Sequence, residues 1–170
     1  MLQIGQAFID GSRAFLSKDY LAKIARCIER LSEEDIWWRA NEESNSIGNL
    51  LLHLAGNVRQ WIISGIGGAD DHRVRQQEFA ERTIIPKSEL LANLQATLME
   101  ADAVLAKVDP ASLLEKRTIQ GKEVSIMYAI YHVVEHFSMH TGQIILVTKL
   151  RTNRDLEFYG FSAGIPIPRW

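Results

Sequence analysis

Three of the five histidines in this 170-residue chain fall within nine residues, in the run His132-Val-Val-Glu-His136-Phe-Ser-Met-His140. Their spacing is i, i+4, i+8. On an α-helix each step of four advances only about 40° around the axis, so the three imidazoles share one side. Imidazole is the commonest nitrogen ligand for zinc, nickel, copper and iron. An i, i+4 pair on one helix is a standard clamp for such an ion. A divalent ion held by neutral imidazoles keeps its full charge. It can lower the pKa of a bound water or thiol and stabilise an oxyanion. The surrounding sequence narrows this chemistry. There is no H-E-x-x-H motif, which argues against a metalloprotease, and no glycine-rich phosphate loop precedes a helix, which argues against nucleotide dependence. A single cysteine, Cys27, rules out a cysteine-rich zinc site and an internal disulfide.

The elements that must position these residues read as helices. Phe8, Phe15, Leu21, Ile24, Ile28 and Leu31 recur at helical spacing and predict a first helix from near Ile4 to Leu31. Ser32-Glu33-Glu34-Asp35 reads as a capped short turn. The second helix runs from near Ser46 to Ser64, with Ile47, Leu51, Leu54, Val58, Trp61 and Ile62 on its apolar side, and Gly65-Ile66-Gly67-Gly68 stops it. Residues 69–83 are charged and read as a solvated face. A third helix covers about Ser88 to Lys107 and ends at Asp109-Pro110. Glu115 to Val124, around Gly121, reads as a small hairpin or a loop. The fourth helix, about Ser125 to Leu150, carries the histidine run. The tail from Asn153 is rich in Gly and Pro and reads as extended or irregular. Its Phe158, Phe161, Ile165, Ile167 and Trp170 are too apolar to stand free, so it is expected to pack on the helices or on a second subunit. Four long helices with mixed connections predict an all-α, four-helix bundle forming one domain over residues 1–170.

Projection of the fourth helix puts Ile126, Ile130, Phe137, Ile144 and Thr148 on the core side, and Tyr131, Glu135, Ser138 and Lys149 on a wet side. His132, His136 and His140 lie between. In the second helix, His53 shares a polar stripe with Ser46, Asn49, Asn57, Gln60 and Ser64. Buried amides need partners, so this stripe implies a wet cleft, a network or a bound ligand. If the second and fourth helices are neighbours, His53 can meet two of the clustered histidines. Three protein ligands and an open position is the usual layout of a catalytic metal site.

Composition limits the partners. At 46% hydrophobic and 24% charged, the chain has the balance of a soluble globular domain. A net charge of −2 gives no broad attraction to nucleic acid or anionic membrane. No apolar stretch approaches the ~20 residues of a membrane helix, and no basic-then-apolar start suggests a cleaved signal peptide. A cytoplasmic location is the expectation.

Two segments carry a resemblance: Asn45-Ser46-Ile47-Gly48-Asn49-Leu50-Leu51-Leu52-His53-Leu54-Ala55-Gly56-Asn57 and His136-Phe137-Ser138-Met139-His140-Thr141-Gly142-Gln143-Ile144. One histidine in the second helix, and a late H-x3-H followed by x-G-Q-[IL], resemble the DinB-like superfamily. Within it, the runs Leu-His-Leu-Ala-Gly-Asn and His-Val-Val-Glu-His are most like a bacterial branch. The resemblance implies a four-helix bundle, often a homodimer, and a divalent metal held by three histidines. Zinc or nickel is the usual ion, with iron or manganese as further options. Carried over by position, the ligands are His53, His136 and His140. His132 is extra to that triad and is expected at the pocket wall, with a catalytic proton-handling role. Some relatives in that superfamily are S-transferases that use bacillithiol, mycothiol or glutathione; others are isomerases or dehalogenase-like.

The expected function is therefore a metal-dependent transferase acting with a low-molecular-weight thiol on a small electrophile. The alternatives are a metal-dependent hydrolase and a non-catalytic metal-binding or stress-response protein. Beside these stands the plain alternative that His136 and His140 are hydrogen-bonded histidines at the core edge. Gln143 either orients a ligand or pairs with backbone. Asn49 and Asn57 are candidate partners of His53, and Gly142 marks either a packing contact or the close approach of a substrate or helix. Cys27 reads as a small core residue and His72 as exposed.

Overall fold

The computed structural model describes residues 2–169 and is organised by four long helices. The first, α1, comprises Leu2–Ala14, a π-helical turn Phe15–Tyr20, and Leu21–Glu29. Ala14, Tyr20 and Leu21 all keep right-handed helical dihedrals, so the three pieces form one continuous helix. After the short α2, Glu33–Trp37, comes α3, which comprises Ile47–Val58 and a second π-helical turn, Arg59–Ser64. A short α4, Arg75–Ala80, precedes α5, Lys87–Leu105. A 3-10 turn, Pro110–Ser112, and a hairpin of β1, Lys116–Ile119, and β2, Lys122–Ser125, lead into α6, Ile126–Thr152. The chain closes on β3, Tyr159–Ser162, and β4, Ile165–Pro168.

Helix α3 is the centre of the packing. It lies against α4, α5 and α6, while α1 packs on α5 and α6. Its apolar residues Leu51, Leu54, Val58 and Ile62 are buried, and so are Ser46, Asn49, His53 and Asn57 on its polar stripe. A helix covered on nearly every side must find a partner for each polar group it buries. Its start is set by Ser46, whose hydroxyl accepts from the Asn49 amide while the Asn49 side chain returns to the Ser46 N–H, a capping box. Ser32 with Asp35 starts α2 in the same way, and Ser125 caps α6. The far end of α6 stops at Asn153, in the left-handed region at φ 50°.

The core face expected for α6 is the one found: Ile126, Ile130, Phe137, Ile144 and Thr148 are buried. One expectation fails in α1. Phe15 is 47% exposed and Leu16 takes the core position instead, at 2%. The π-helical turn adds a residue to the register, which rotates the apolar side past Phe15. The Phe15 ring stacks on Tyr20 at 5.7 Å, and Tyr20 stacks on Phe137 at 5.9 Å. Cys27 is fully buried, and burial pushes its thiol up to about 11.

Two antiparallel hairpins correct the all-α reading. Gln120 and Gly121 turn the first with φ of 52° and 72°, as a two-residue hairpin turn of the primed type requires. The tail, expected to be extended or irregular, is extended and forms the second around Ala163 and Gly164, at φ 50° and 78°. Pro166 and Pro168 pair with Phe161 and Tyr159, at the alternate positions whose N–H groups would point away from the partner strand, so no ladder bond is lost. The root of the tail is tied down as expected: Leu156 is fully buried, and Arg26 donates to the carbonyls of Leu156, Glu157 and Arg169. Phe161 and Ile165 remain 73% and 66% exposed, and Trp170 lies outside the described residues. Among those residues no helix is long and apolar enough to cross a membrane.

Because Ser46 is fully buried and holds the entry to α3, Ser46→Ala should cost roughly 1–2 kcal/mol of folding stability. A denaturant titration checks this, with an unchanged slope expected.

Candidate metal centre

Helices α3 and α6 bring the sequence-selected histidines together. His53 Nε2 lies 3.0 Å from His136 Nε2, and His140 Nε2 lies 3.2 Å from the same atom. The three ligand atoms fall within 4.8 Å of one another, a group able to hold a metal ion. His53 and His140 are buried and His136 is half-buried.

The outer ring nitrogens fix which tautomers face inward. His53 Nδ1 lies 2.8 Å from Glu78 Oε2. A carboxylate only accepts, so this contact puts the proton on Nδ1 and the lone pair of Nε2 toward the cluster; the Arg73 Nη2, 3.2 Å from the same Nδ1, donates to Glu78 Oε2 at 2.9 Å instead. His140 Nδ1 lies 2.6 Å from Gln143 Oε1, which places the proton on Nδ1 there too and leaves Nε2 facing inward. His136 Nδ1 is buried without a hydrogen-bond partner. Acceptor nitrogens this close repel one another unless a proton or a cation lies between them. The donor set fits a divalent ion of borderline softness: three imidazoles, convergent Nε2 atoms and outer partners on two of them.

Electrostatics disfavour protonation of the three histidines on α6. Burial, then the nearby His140 and His53, push His136 from 6.5 down to about 3. His140 is also lowered, mainly by burial, against the opposing Gln143 hydrogen bond. His132 is lowered by burial and by Arg73 and Lys122, against Glu135. Neutral imidazole is the form a metal requires.

His132 stands beside this group rather than in it. Its ring packs on Trp61 at 4.2 Å and on His136 at 5.5 Å, and its Nε2 is 3.5 Å from Asn57 Nδ2. Phe79 covers His53 at 4.5 Å, and the Arg75 guanidinium lies 4.8 Å from the Phe79 ring centroid. Glu135 is exposed, as expected.

The charged stretch before α5 departs from its reading as a solvated face. His72 is exposed, but the side chains of Arg73 and Glu78 are only 5% and 12% exposed. Arg73 donates from Nε to Glu78 Oε1 at 2.7 Å and from Nη2 to Oε2 at 2.9 Å, a two-pronged ion pair. Burial by itself would raise the Glu78 carboxyl; the hydrogen bonds from Arg73 and His53 outweigh it and hold the group below the ordinary carboxylate range. The polar stripe of α3 receives this segment along its length. Asn49 Nδ2 donates to the Glu78 and Glu81 carbonyls, Gln60 joins Arg73 and Asp71, and Ser64 donates to the Asp70 carbonyl. Asn49 and Asn57, expected as partners of His53, therefore serve the segment and His132 instead. Gln143 contacts His140 through its side chain. A Cβ at Gly142 would meet nothing within 4 Å, so no packing contact within the chain explains it.

Sequence reasoning missed Arg73 and Glu78 because Asp70, Asp71, Arg75, Glu81 and Arg82 surround them. Nothing local distinguishes the buried pair from its solvated neighbours.

The low His136 pKa has a consequence for stability. A histidine whose folded pKa is depressed stabilises fully above its unfolded value and loses that contribution as pH falls. In chelator, the denaturation midpoint should therefore fall from pH 6.5 toward pH 4, across the window set by the 6.5 and about 3 values. His136→Leu should show a flatter dependence there.

A family described as "Protein of unknown function (DUF1572)" matches residues 3–164, and the chain belongs to it. Among solved structures, a DinB-like protein from Bacillus cereus ATCC 10987 superposes with a TM-score of 0.62 at 12% identity. The alignment covers 78% of this chain and 85% of that one. The fold is of the DinB-like type, in agreement with the resemblance read from the two histidine segments. No curated protein sequence matches.

Proposed function

We propose that this DUF1572 chain binds one divalent metal ion through His53, His136 and His140, and is a thiol-dependent S-transferase acting on a small electrophile. The observation that carries the metal assignment is the convergence of three Nε2 atoms with two tautomers fixed from outside, by Glu78 and Gln143. In this reading the four long helices act as a four-helix bundle, with the ion between α3 and α6. Zinc or nickel suits the donor set, and iron or manganese remain compatible with it.

When bound, such an ion supplies Lewis acidity that lowers the pKa of a thiol or water and stabilises developing negative charge. The chain's own residues do the rest. His53 and His140 are held in orientation by their outer partners. Phe79 and Trp61 supply an apolar wall that limits water. His132 is neutral and does not join the three convergent nitrogens, which leaves it as the group to take the proton a nucleophile gives up. Three protein ligands rather than four support an open position, and so catalysis over a closed structural site. The absence of a carboxylate in contact with the inward-facing nitrogens favours a thiol nucleophile over a hydrolytic water. Among the described residues, Glu78 is the carboxylate hydrogen-bonded to the triad, and it is on the outer side of His53. The fully buried Cys27 is in keeping with a reducing, cytoplasmic setting.

A homodimer completes the reading. Tyr131, Met139, Leu146 and Leu150 project from one side of α6 at 50–66% exposure, and Gly142 lies among them with open space above it. An apolar stripe with a gap at its centre suits close packing of a second helix.

Mass spectrometry of tag-free protein should find about one metal equivalent in the wild type. It should find none in a folded His53→Ala/His136→Ala/His140→Ala variant. Transfer of a small thiol to an electrophile should follow the metal content. Protein that takes up neither zinc nor nickel on reconstitution would remove this reading. Light scattering should give a dimer that Leu146→Glu converts to a monomer.

A further inference from the structure

Gly56 lies in the middle of α3, one turn after His53, where glycine weakens a helix relative to alanine. Its surroundings explain its presence. A Cβ built there would overlap Glu78 Oε1, and would approach Glu78 Cδ to 2.9 Å and Arg73 Nε to 3.0 Å. The missing side chain is the space in which the ion pair sits against the helix.

We infer that Gly56, Arg73 and Glu78 are positioning residues for His53, with Glu78 setting the affinity of the triad for a divalent ion. This rests on the metal assignment above. Glu78 reaches His53 because Gly56 leaves room for it. Arg73 aims both carboxylate oxygens by its two-pronged contact and is itself held by Gln60. The carboxylate hydrogen bond fixes the Nδ1–H tautomer of His53 and makes Nε2 a stronger donor to a metal. The other two imidazoles lack this support. His140 has the neutral amide of Gln143, and His136 Nδ1 has no partner. The site is therefore built with one strengthened ligand, and the strengthening comes from a separate segment of the chain.

The arrangement can be disturbed without unfolding the protein. The atoms that would meet a Cβ at position 56 belong to the ends of flexible side chains. A cavity of about 460 Å³, lined by Leu52, Ala55, Val74 and Gln77, adjoins Glu78 and gives it room to move. Gly56→Ala should thus displace the carboxylate from His53 and leave α3 intact.

Zinc affinity, measured by competition with a chromophoric chelator, tests this. Gly56→Ala and the near-isosteric Glu78→Gln should each weaken zinc binding about 10- to 100-fold. In a Glu78→Ala background, Gly56→Ala should cause no further loss, because the overlap with Glu78 is gone and Arg73, at 3.0 Å, no longer has a carboxylate to aim. Nitrogen-15 NMR of the metal-free protein should show His53 as the Nδ1–H tautomer in the wild type and as a mixture in Gly56→Ala. Wild-type zinc binding with unchanged affinity in Glu78→Gln would overturn this inference alone. So would an equal Gly56→Ala loss with and without Glu78. A wild type that binds no zinc would overturn the metal assignment and this inference together. Should Gly56→Ala fail to fold, Glu78→Gln still decides the question.

Discussion

The structure turns on three imidazole nitrogens brought together at 3.0 and 3.2 Å. Electron pairs at that separation repel, and packing alone would not hold them. The surrounding protein supplies the restraint from outside, by fixing protons on the far sides of two rings. Burial then removes the simplest escape, which is protonation and mutual withdrawal. Helix α3 is the element that makes this possible. It is apolar toward the core and polar toward the segment before α5. Asn49, His53, Gln60 and Ser64 on the second side each hold that segment.

This division of labour explains why α3 is buried so completely. A helix with an ordinary wet face would leave His53 to solvent and its Nδ1 to water. Here the wet face is replaced by residues 70–81, whose carbonyls and charged side chains stand in for water along Asn49, His53, Gln60 and Ser64. The cost of burying a charged pair is met because Arg73 and Glu78 satisfy each other and their neighbours at once. The histidines from α6 need no comparable device, because their helix supplies spacing and Gln143 supplies one outer contact.

Much of this was legible in the sequence, for identifiable reasons. Helical periodicity located the four long helices, and Ser46 and Ser125 marked the starts of two of them, since capping is local chemistry. The i, i+4, i+8 histidines and the polar stripe around His53 marked the two faces that meet. What stayed hidden was non-local or depended on register. Phe15 could not be placed without the π-helical turn. The strand pairing of the Pro166 and Pro168 tail could not be read from its composition, which left extended and irregular chain open. Glu78 and Arg73 sat unmarked in a charged run, because only the fold decides which charges are covered.

The single thiol gives the interior a further property. Cys27 is sealed beneath α6, near Thr148. With its pKa pushed up to about 11, only on the order of one molecule in ten thousand carries a thiolate there at neutral pH. Alkylating and oxidising compounds attack accessible thiolates first. This chain offers them no accessible sulfur nucleophile among its cysteines. Attack at this thiol is set by how often the core opens, and not by the concentration of reagent at the surface alone.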